Sequence, residues 1–291
     1  RTRAELLSPG QLVLVVSYTR LMYKPLRKLT GEGARLAKAA ACAERVMDLL
    51  ALPAEDDKTG EEATSLDGPV ELIDVGYRYP DGRVALDGLN LRVDSGQLVV
   101  VNGDNGAGKS TLLSLLLRLR RPTEGQLLLD GTDIGHFQLS SYRRHVAYVP
   151  QDLLLFGGSV RENLAFARPE ASEAELLAAA RVARFTEVLA TLPDGMETVL
   201  DEEGTSLSGG QARRLMLARA VLRDAPLILL DEPLAGLDPE ARTEVAAAIR
   251  SAAIGRTTFV VHHGDPGELD PDQVVTLRAP ASAPVSAEPV A

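Results

Sequence analysis

The sequence predicts an α/β protein organised round a phosphate-binding loop. Three observations carry that reading. Gly103-Asp104-Asn105-Gly106-Ala107-Gly108-Lys109-Ser110-Thr111 fits the pattern G-x-x-x-x-G-K-[ST]. Residues 97–102 in front of it are a short apolar run with the character of a buried strand, and residues 112–118 behind it have the leucine content of a helix start. Farther along, Leu229-Leu230-Asp231-Glu232 is an apolar strand that ends in two carboxylates.

Each part has a chemical reason. Glycines let a loop turn tightly and aim its N–H groups at phosphate oxygens, and the helix N-terminus behind adds partial positive charge. Lys109 is placed to reach the β- and γ-phosphates and Ser110 to ligate Mg²⁺. Lys109 is also the only lysine after Lys58, in a chain that otherwise uses arginine there. In a chain with such a loop, the strand-end Asp231 points at the Mg²⁺ that Ser110 holds. Glu232, next to it, polarises the attacking water.

Composition narrows the class. The 291 residues are 45% hydrophobic, enough for a real core, with no Trp. A formal net charge of −10 disfavours nucleic acid as a partner. The single Cys42 cannot form an internal disulfide, which fits a reducing compartment. No secretory signal is visible in residues 1–10, and the chain opens on Arg1 rather than Met.

In chain order, residues 11–23 are mostly apolar but shorter than the ~20 that span a bilayer alone. Arg20 interrupts them, and Lys24, Arg27, Lys28, Arg35 and Lys38 follow, as at a cytoplasmic membrane exit. Residues 36–50 have strong helix composition, so one long helix is expected, weakened near Pro25 and Gly31/Gly33. An amphipathic helix packed on a soluble domain is the alternative. Residues 51–69 are acidic and rich in turn formers and read as a linker. Residues 70–79 and 84–93 read as antiparallel strands round Pro80-Asp81-Gly82-Arg83. Further strands are expected at 125–130, 145–150, 227–230 and 257–261, and helices over 172–192. The Ala/Pro/Ser tail, 278–291, reads as disordered.

Leu207-Ser208-Gly209-Gly210-Gln211 opens another helix. Ser, two glycines and a helix N-terminus make a second anion site, without a lysine. Two phosphate-facing elements of different design in one chain suggest that each serves a different bound nucleotide.

With these motifs the chain resembles the ATPase domain of ATP-binding cassette (ABC) transporters, of the multidrug and lipid exporter type. Leu207 to Gln211 is similar to the family signature at every position, Gln151 to its glutamine loop and Tyr79 to the aromatic that stacks on adenine. Leu237-Asp238 matches the end of the D-loop and His263 the switch histidine; His262 falls where the family usually has another residue. The resemblance runs from about Gly10 to Leu277. It implies a P-loop NTPase (RecA-like) core with an antiparallel β subdomain and an α-helical signature subdomain, preceded by a long N-terminal helix. Residues 1–50 then end a transmembrane domain, 51–69 link, and 70–277 are the ATPase domain. ATP and Mg²⁺ are the implied cofactors, with Gln151 joining Ser110 and Asp231 at the metal and His263 contacting the γ-phosphate. A second such domain, identical or different, and a transmembrane domain are the implied partners. The implied location is a cell inner membrane, ATPase domain in the cytoplasm.

The sequence departs from the family at Ala235-Gly236, usually Ser-Ala, at Asp201 and Glu203, and at Gly264, usually Arg. Two rival readings stand beside an ATP-driven exporter: a soluble ABC-type ATPase, and a regulatory nucleotide binder without turnover. Cys42 and His262 read as structural. His262-His263 is not expected to be a metal site, since adjacent strand residues point to opposite faces.

Overall fold

The computed structural model describes residues 8–52, 55, 59–201 and 207–279. Glu202, Glu203 and the tail from residue 280 lie outside them. The chain divides into two units, Arg1–Glu55 and Asp56–Ala291.

The first unit is one helix, α1 (Pro9–Leu50). Ser8 caps it: its Oγ accepts from Gln11 N–H, and the Gln11 side chain accepts from Ser8 N–H, so two otherwise orphaned donors are satisfied reciprocally. Pro9 at the first turn costs nothing there, since its missing N–H has no helical partner anyway. The helix runs on through Pro25 instead of weakening there. Leu12 to Val16, Tyr18 and Leu21 to Tyr23 are exposed. Among the described residues, no helix is long and apolar enough to cross a membrane. Arg20 and the basic residues beyond Tyr23 cut the apolar stretch short.

The second unit holds β1 (Val70–Arg78), β2 (Val84–Val93), β3 (Leu98–Gly103), α2 (Lys109–Leu116), β4 (Glu124–Leu129), β5 (Thr132–Asp133), α3 (Leu139–Arg144), β6 (Val146–Val149), β7 (Gly158–Ser159), α4 (Val160–Ala165), α5 (Glu173–Val182), α6 (Thr186–Leu189), β8 (Val199–Leu200), α7 (Gly209–Leu222), β9 (Leu227–Asp231), α8 (Pro239–Ala253), β10 (Thr257–Val261) and β11 (Gln273–Leu277).

The main sheet is parallel, ordered β11-β3-β10-β9-β6. Its strands read as apolar runs because both faces are covered. Leu98, Val100, Ala147, Val149, Ile228, Leu230 and Val260 face one core with the helices α4, α5 and α7. Val99, Val101, Val146, Leu227, Leu229, Phe259 and Val261 face a second core with α2 and the antiparallel sheet β2-β1-β4-β5. The alternation along each strand follows from the period of two.

Residues 61–69, expected as linker, pack on this unit. Glu61 bridges Phe137, Ala63 N–H donates to the buried Ser141 Oγ (3.0 Å), and Ala63 and Leu66 are buried. Two apolar side chains in a polar stretch are enough to dock it.

Parallel strands bring their carboxyl ends to one edge, and ligands of such sheets bind there. The loops after β3, β6, β9 and β10 all leave by that edge. They carry Gly103–Gly108, Gln151, Glu232 and His263.

Candidate functional site

The glycine loop ends in Gly108, whose φ of 94° lies in the left-handed region. A Cβ there would sit 2.4 Å from Ala85 O. Gly103, with φ 147°, is pressed as closely against Leu277 O, 2.5 Å from a Cβ position. The loop therefore needs glycine both for its turn and for room. Lys109 is buried, and its ammonium donates back to Gly103 O (2.6 Å) and Asp104 O (2.8 Å). With both bonds made to backbone, the charge sits at the mouth of its own loop.

A cavity of about 210 Å³ opens in front. Asn105, Gly106, Gly108, Lys109, Ser110 and Thr111 line it, with Tyr79, Arg83, Ala85, Glu232 and His263. Tyr79 is fixed by its hydroxyl, 3.0 Å from Thr111 Oγ1, and by Tyr77, whose ring meets it edge-on at 5.0 Å.

Glu232 follows β9 with φ 48°, a left-handed conformation that costs a residue with a Cβ about 1–2 kcal/mol. Its N–H is held by Val261 O at 3.0 Å. One carboxylate oxygen accepts from Gln151 Nε2 at 3.2 Å, and the other is in contact with His263 Nε2. Asp231 beside it is pushed up from the ordinary carboxylate range, by burial first and by the Glu232 charge second. The Tyr148 hydroxyl lies 3.4 Å from Asp231 Oδ2, and its own pKa is raised to about 12 by burial and by that carboxylate.

These donors fit Mg²⁺. A hydroxyl, an amide and a carboxylate are hard oxygen ligands, and two adjoining acids, the first pushed above its ordinary range by burial and by the second, are a place where a divalent cation relieves repulsion. Ser110, Asp231 and Gln151 are the residues that could hold it.

The signature is elsewhere. Ser208 caps α7, its Oγ accepting from Gln211 N–H (3.3 Å) and the Gln211 side chain accepting from Ser208 N–H (2.9 Å). Gly209 and Gly210 lie against Leu237 and Ala241, where Cβ atoms would come within 3.2 and 2.9 Å. Asp238 caps α8 through Ala241 N–H at 2.9 Å. None of Leu207 to Gln211, nor Asp238, lines the phosphate cavity. The two anion-facing helix ends of this chain do not share one cavity.

Sequence reasoning missed three side chains. Arg83 read only as a turn residue. Tyr148 read only as part of a strand. Arg213, on α7, is buried with Nη1 unpartnered among the described residues, its pKa lowered by burial against the pull of Asp152, Glu232 and Asp231. An arginine two positions past the signature was the only sign of it.

His262, read as structural, is buried just past the end of β10. Its Nε2 lies 3.7 Å from Glu268 Oε2.

A glycine loop between a buried parallel strand and a helix, facing a strand-end acid pair, defines a P-loop nucleotide-hydrolase domain. The ABC transporter family profile matches residues 86–235. The chain therefore belongs to the ABC transporter family and carries its ATP-binding, ATP-hydrolysing domain. It is 38% identical over 258 residues to an ATP-dependent lipid A-core flippase of Chromohalobacter salexigens, covering 88% of this chain and 45% of that protein. It is 36% identical over 277 residues to the flippase of the same name from Alkalilimnicola ehrlichii, covering 94% and 47%. Among solved structures, a bacterial Atm1-family ABC exporter with ATP bound matches with a TM-score of 0.74 and 32% identity, over 94% of this chain and 49% of that one. The chain thus spans a little under half the length of these relatives.

Proposed function

We propose that the chain powers export across a membrane by ATP-driven pairing of two such domains, with α1 the end of a transmembrane domain. The observation that carries this is the separation of the two anion sites. The Lys109 loop and the Ser208-Gly209-Gly210 turn are both built for phosphate, yet they lie apart in one chain. A second copy or a related chain, docked head to tail, supplies the missing half of each site. The flippase names of the relatives favour a lipid as cargo, and an inner-membrane location with the ATPase domain in the cytoplasm follows from the same reading.

The residues divide the work. Lys109 leaves its two backbone carbonyls for the β- and γ-phosphates, which replace them as stronger, charged acceptors. Ser110, Asp231 and Gln151 hold Mg²⁺, which when bound neutralises charge developing on the phosphates. Glu232 turns one oxygen to a water in line with the γ-phosphate. Attack by that water breaks the bond to the β-phosphate oxygen, leaving ADP and phosphate. His263 moves from Glu232 to the γ-phosphate oxygens. Tyr79 offers its ring to the adenine.

Glu232→Gln tests the reading. The variant is expected to bind ATP, to release phosphate at least 10²-fold more slowly and to dimerise more in ATP by light scattering. Wild-type turnover in that variant rejects the role of Glu232, and ATP binding with no pairing at any concentration rejects the shared site.

A further inference from the structure

We propose that Arg83 is a base-contacting residue, which stacks its guanidinium on the face of the nucleotide base that Tyr79 leaves open. The proposal rests on the reading that ATP binds at the Lys109 loop, and deepens it at the base.

The hairpin between β1 and β2 fixes where Arg83 lies. Tyr79 N–H donates to Arg83 O at 2.8 Å, Gly82 N–H to Tyr79 O at 2.9 Å, and Asp81 caps the turn through Arg83 N–H at 3.0 Å. The two residues are therefore held opposite each other. The Arg83 guanidinium carbon stands 4.3 Å from the centre of the Tyr79 ring. Arg83 and Tyr79 both line the phosphate cavity, so a base that stacks on Tyr79 from the cavity comes beside the guanidinium.

A second arginine shows by contrast what Arg83 is free to do. Arg120 also stands over Tyr79, at 4.9 Å, but it does not line the cavity and is pinned by a 2.9 Å bond to the Tyr77 hydroxyl. The Arg83 guanidinium makes no hydrogen bond or ion pair among the described residues, and the side chain is exposed. Tyr79 itself is held at its hydroxyl by Thr111 and at its edge by Tyr77. An arriving base therefore moves Arg83, not Tyr79.

A guanidinium is planar and weakly hydrated and stacks on any aromatic face. Displaced outward by one ring thickness, Arg83 meets the second face of the base with the interaction it now makes with tyrosine. The hairpin tethers it, so little freedom is lost when it closes. The base is then held between a neutral ring and a cation, the phosphates by Lys109 and the loop amides.

Binding of Mg·ATP and of inorganic tripolyphosphate to the full chain tests this, by calorimetry. Arg83→Ala is expected to weaken ATP about tenfold and to leave tripolyphosphate unchanged. Arg83→Lys, which keeps the charge and loses the plane, is expected to regain less than half of that loss on a logarithmic scale. Equal weakening of both ligands, or full recovery with lysine, shows that Arg83 acts through charge on the phosphates and overturns the proposal. Unchanged or tighter ATP binding in Arg83→Ala overturns it too, leaving Arg83 a bystander or a plug. Wild-type chain that binds neither ligand overturns the ATP reading itself, a separable result. A melting curve like that of wild type shows that the variants are folded.

Discussion

His263 Nε2 touches one carboxylate oxygen of Glu232 while Gln151 Nε2 occupies the other at 3.2 Å. Each oxygen of the residue meant to aim a water already has one partner, so a water there shares it with His263 or Gln151. The three side chains come from the ends of β10, β9 and β6, three neighbouring strands, so the arrangement follows directly from sheet order.

His263→Ala and Gln151→Ala should therefore differ. His263 has both the acid and, by proposal, the γ-phosphate as targets, so its loss is expected to lower kcat about 10²-fold with the KM for ATP little changed. Gln151 has one side-chain partner among the described residues, Glu232, and its loss is expected to cost about tenfold. Combined, the two should cost less than the product of their separate effects, because they act on one carboxylate. Steady-state phosphate release measures all three.

The glycine loop gives a second prediction. Gly108→Ala forces a side chain into φ 94° and against Ala85 O and Leu86. The left-handed conformation alone costs about 1–2 kcal/mol, and the overlap adds to it. Gly106→Ala has a similar φ of 83° but nothing within 4 Å. It should show the conformational cost alone. Urea midpoints of the two variants, compared at one m value, separate room from conformation.

What was legible in the sequence was what local chemistry writes. The strands over 70–78, 84–93, 146–149 and 257–261 lie within or close to the stretches that alternation or apolar content marked. The loop, its lysine and the strand-end acids are contiguous motifs, so the site's centre could be read. Other parts needed the tertiary structure. β11 carries an edge pattern of half-exposed residues with no long apolar run. Ala63 and Leu66 look like linker until a core is there to receive them. Arg83 and Arg213 bear on the site through hairpin geometry and helix burial, neither of which has a sequence spacing.

Asp231 gives a third prediction, on stability. Its folded-state pKa is raised above the ordinary 3.8, by burial and then by Glu232. In the interval above 3.8 the folded chain keeps a proton that the unfolded chain has lost. That contribution is present at low pH and disappears as pH rises through the folded value. At neutral pH an ionised Asp231 is thus a cost of the site in the metal-free protein. Asp231→Asn removes it and is expected to raise Tm by about 2–4 °C at pH 7 with EDTA, while Mg²⁺-dependent turnover is lost. Calorimetric scans at pH 7 and pH 4.5 check the sign, since the advantage should shrink at the lower pH.

The last prediction concerns His262, which the motif at His263 overshadows. Its ring is buried, with Nε2 3.7 Å from Glu268 Oε2 and neither atom hydrogen-bonded among the described residues. Glu268 is tied on its other side to Arg242 at 3.1 Å, and Arg250 donates to its backbone carbonyl. The ring also fills the space beside Gly264, where a Cβ would fall 2.5 Å from Nε2. Burial lowers the His262 pKa below 6.5; Glu268 and a backbone bond to Asp265 pull the other way, and Arg242 and His263 add to the lowering. The sign follows. Between its folded value and 6.5 the unfolded chain binds the proton more readily, so stability falls as pH drops below about 6.5 and the loss is complete at the folded value. His262→Leu removes the titration and keeps an apolar side chain in the core. The difference in urea midpoint between pH 7.5 and pH 5.5 should therefore be smaller in His262→Leu than in wild type. An equal difference in both proteins would show that the acid sensitivity arises elsewhere. Gly264→Ala should destabilise wild type by about 1–3 kcal/mol and the His262→Leu background by less, because the atom it strikes is gone.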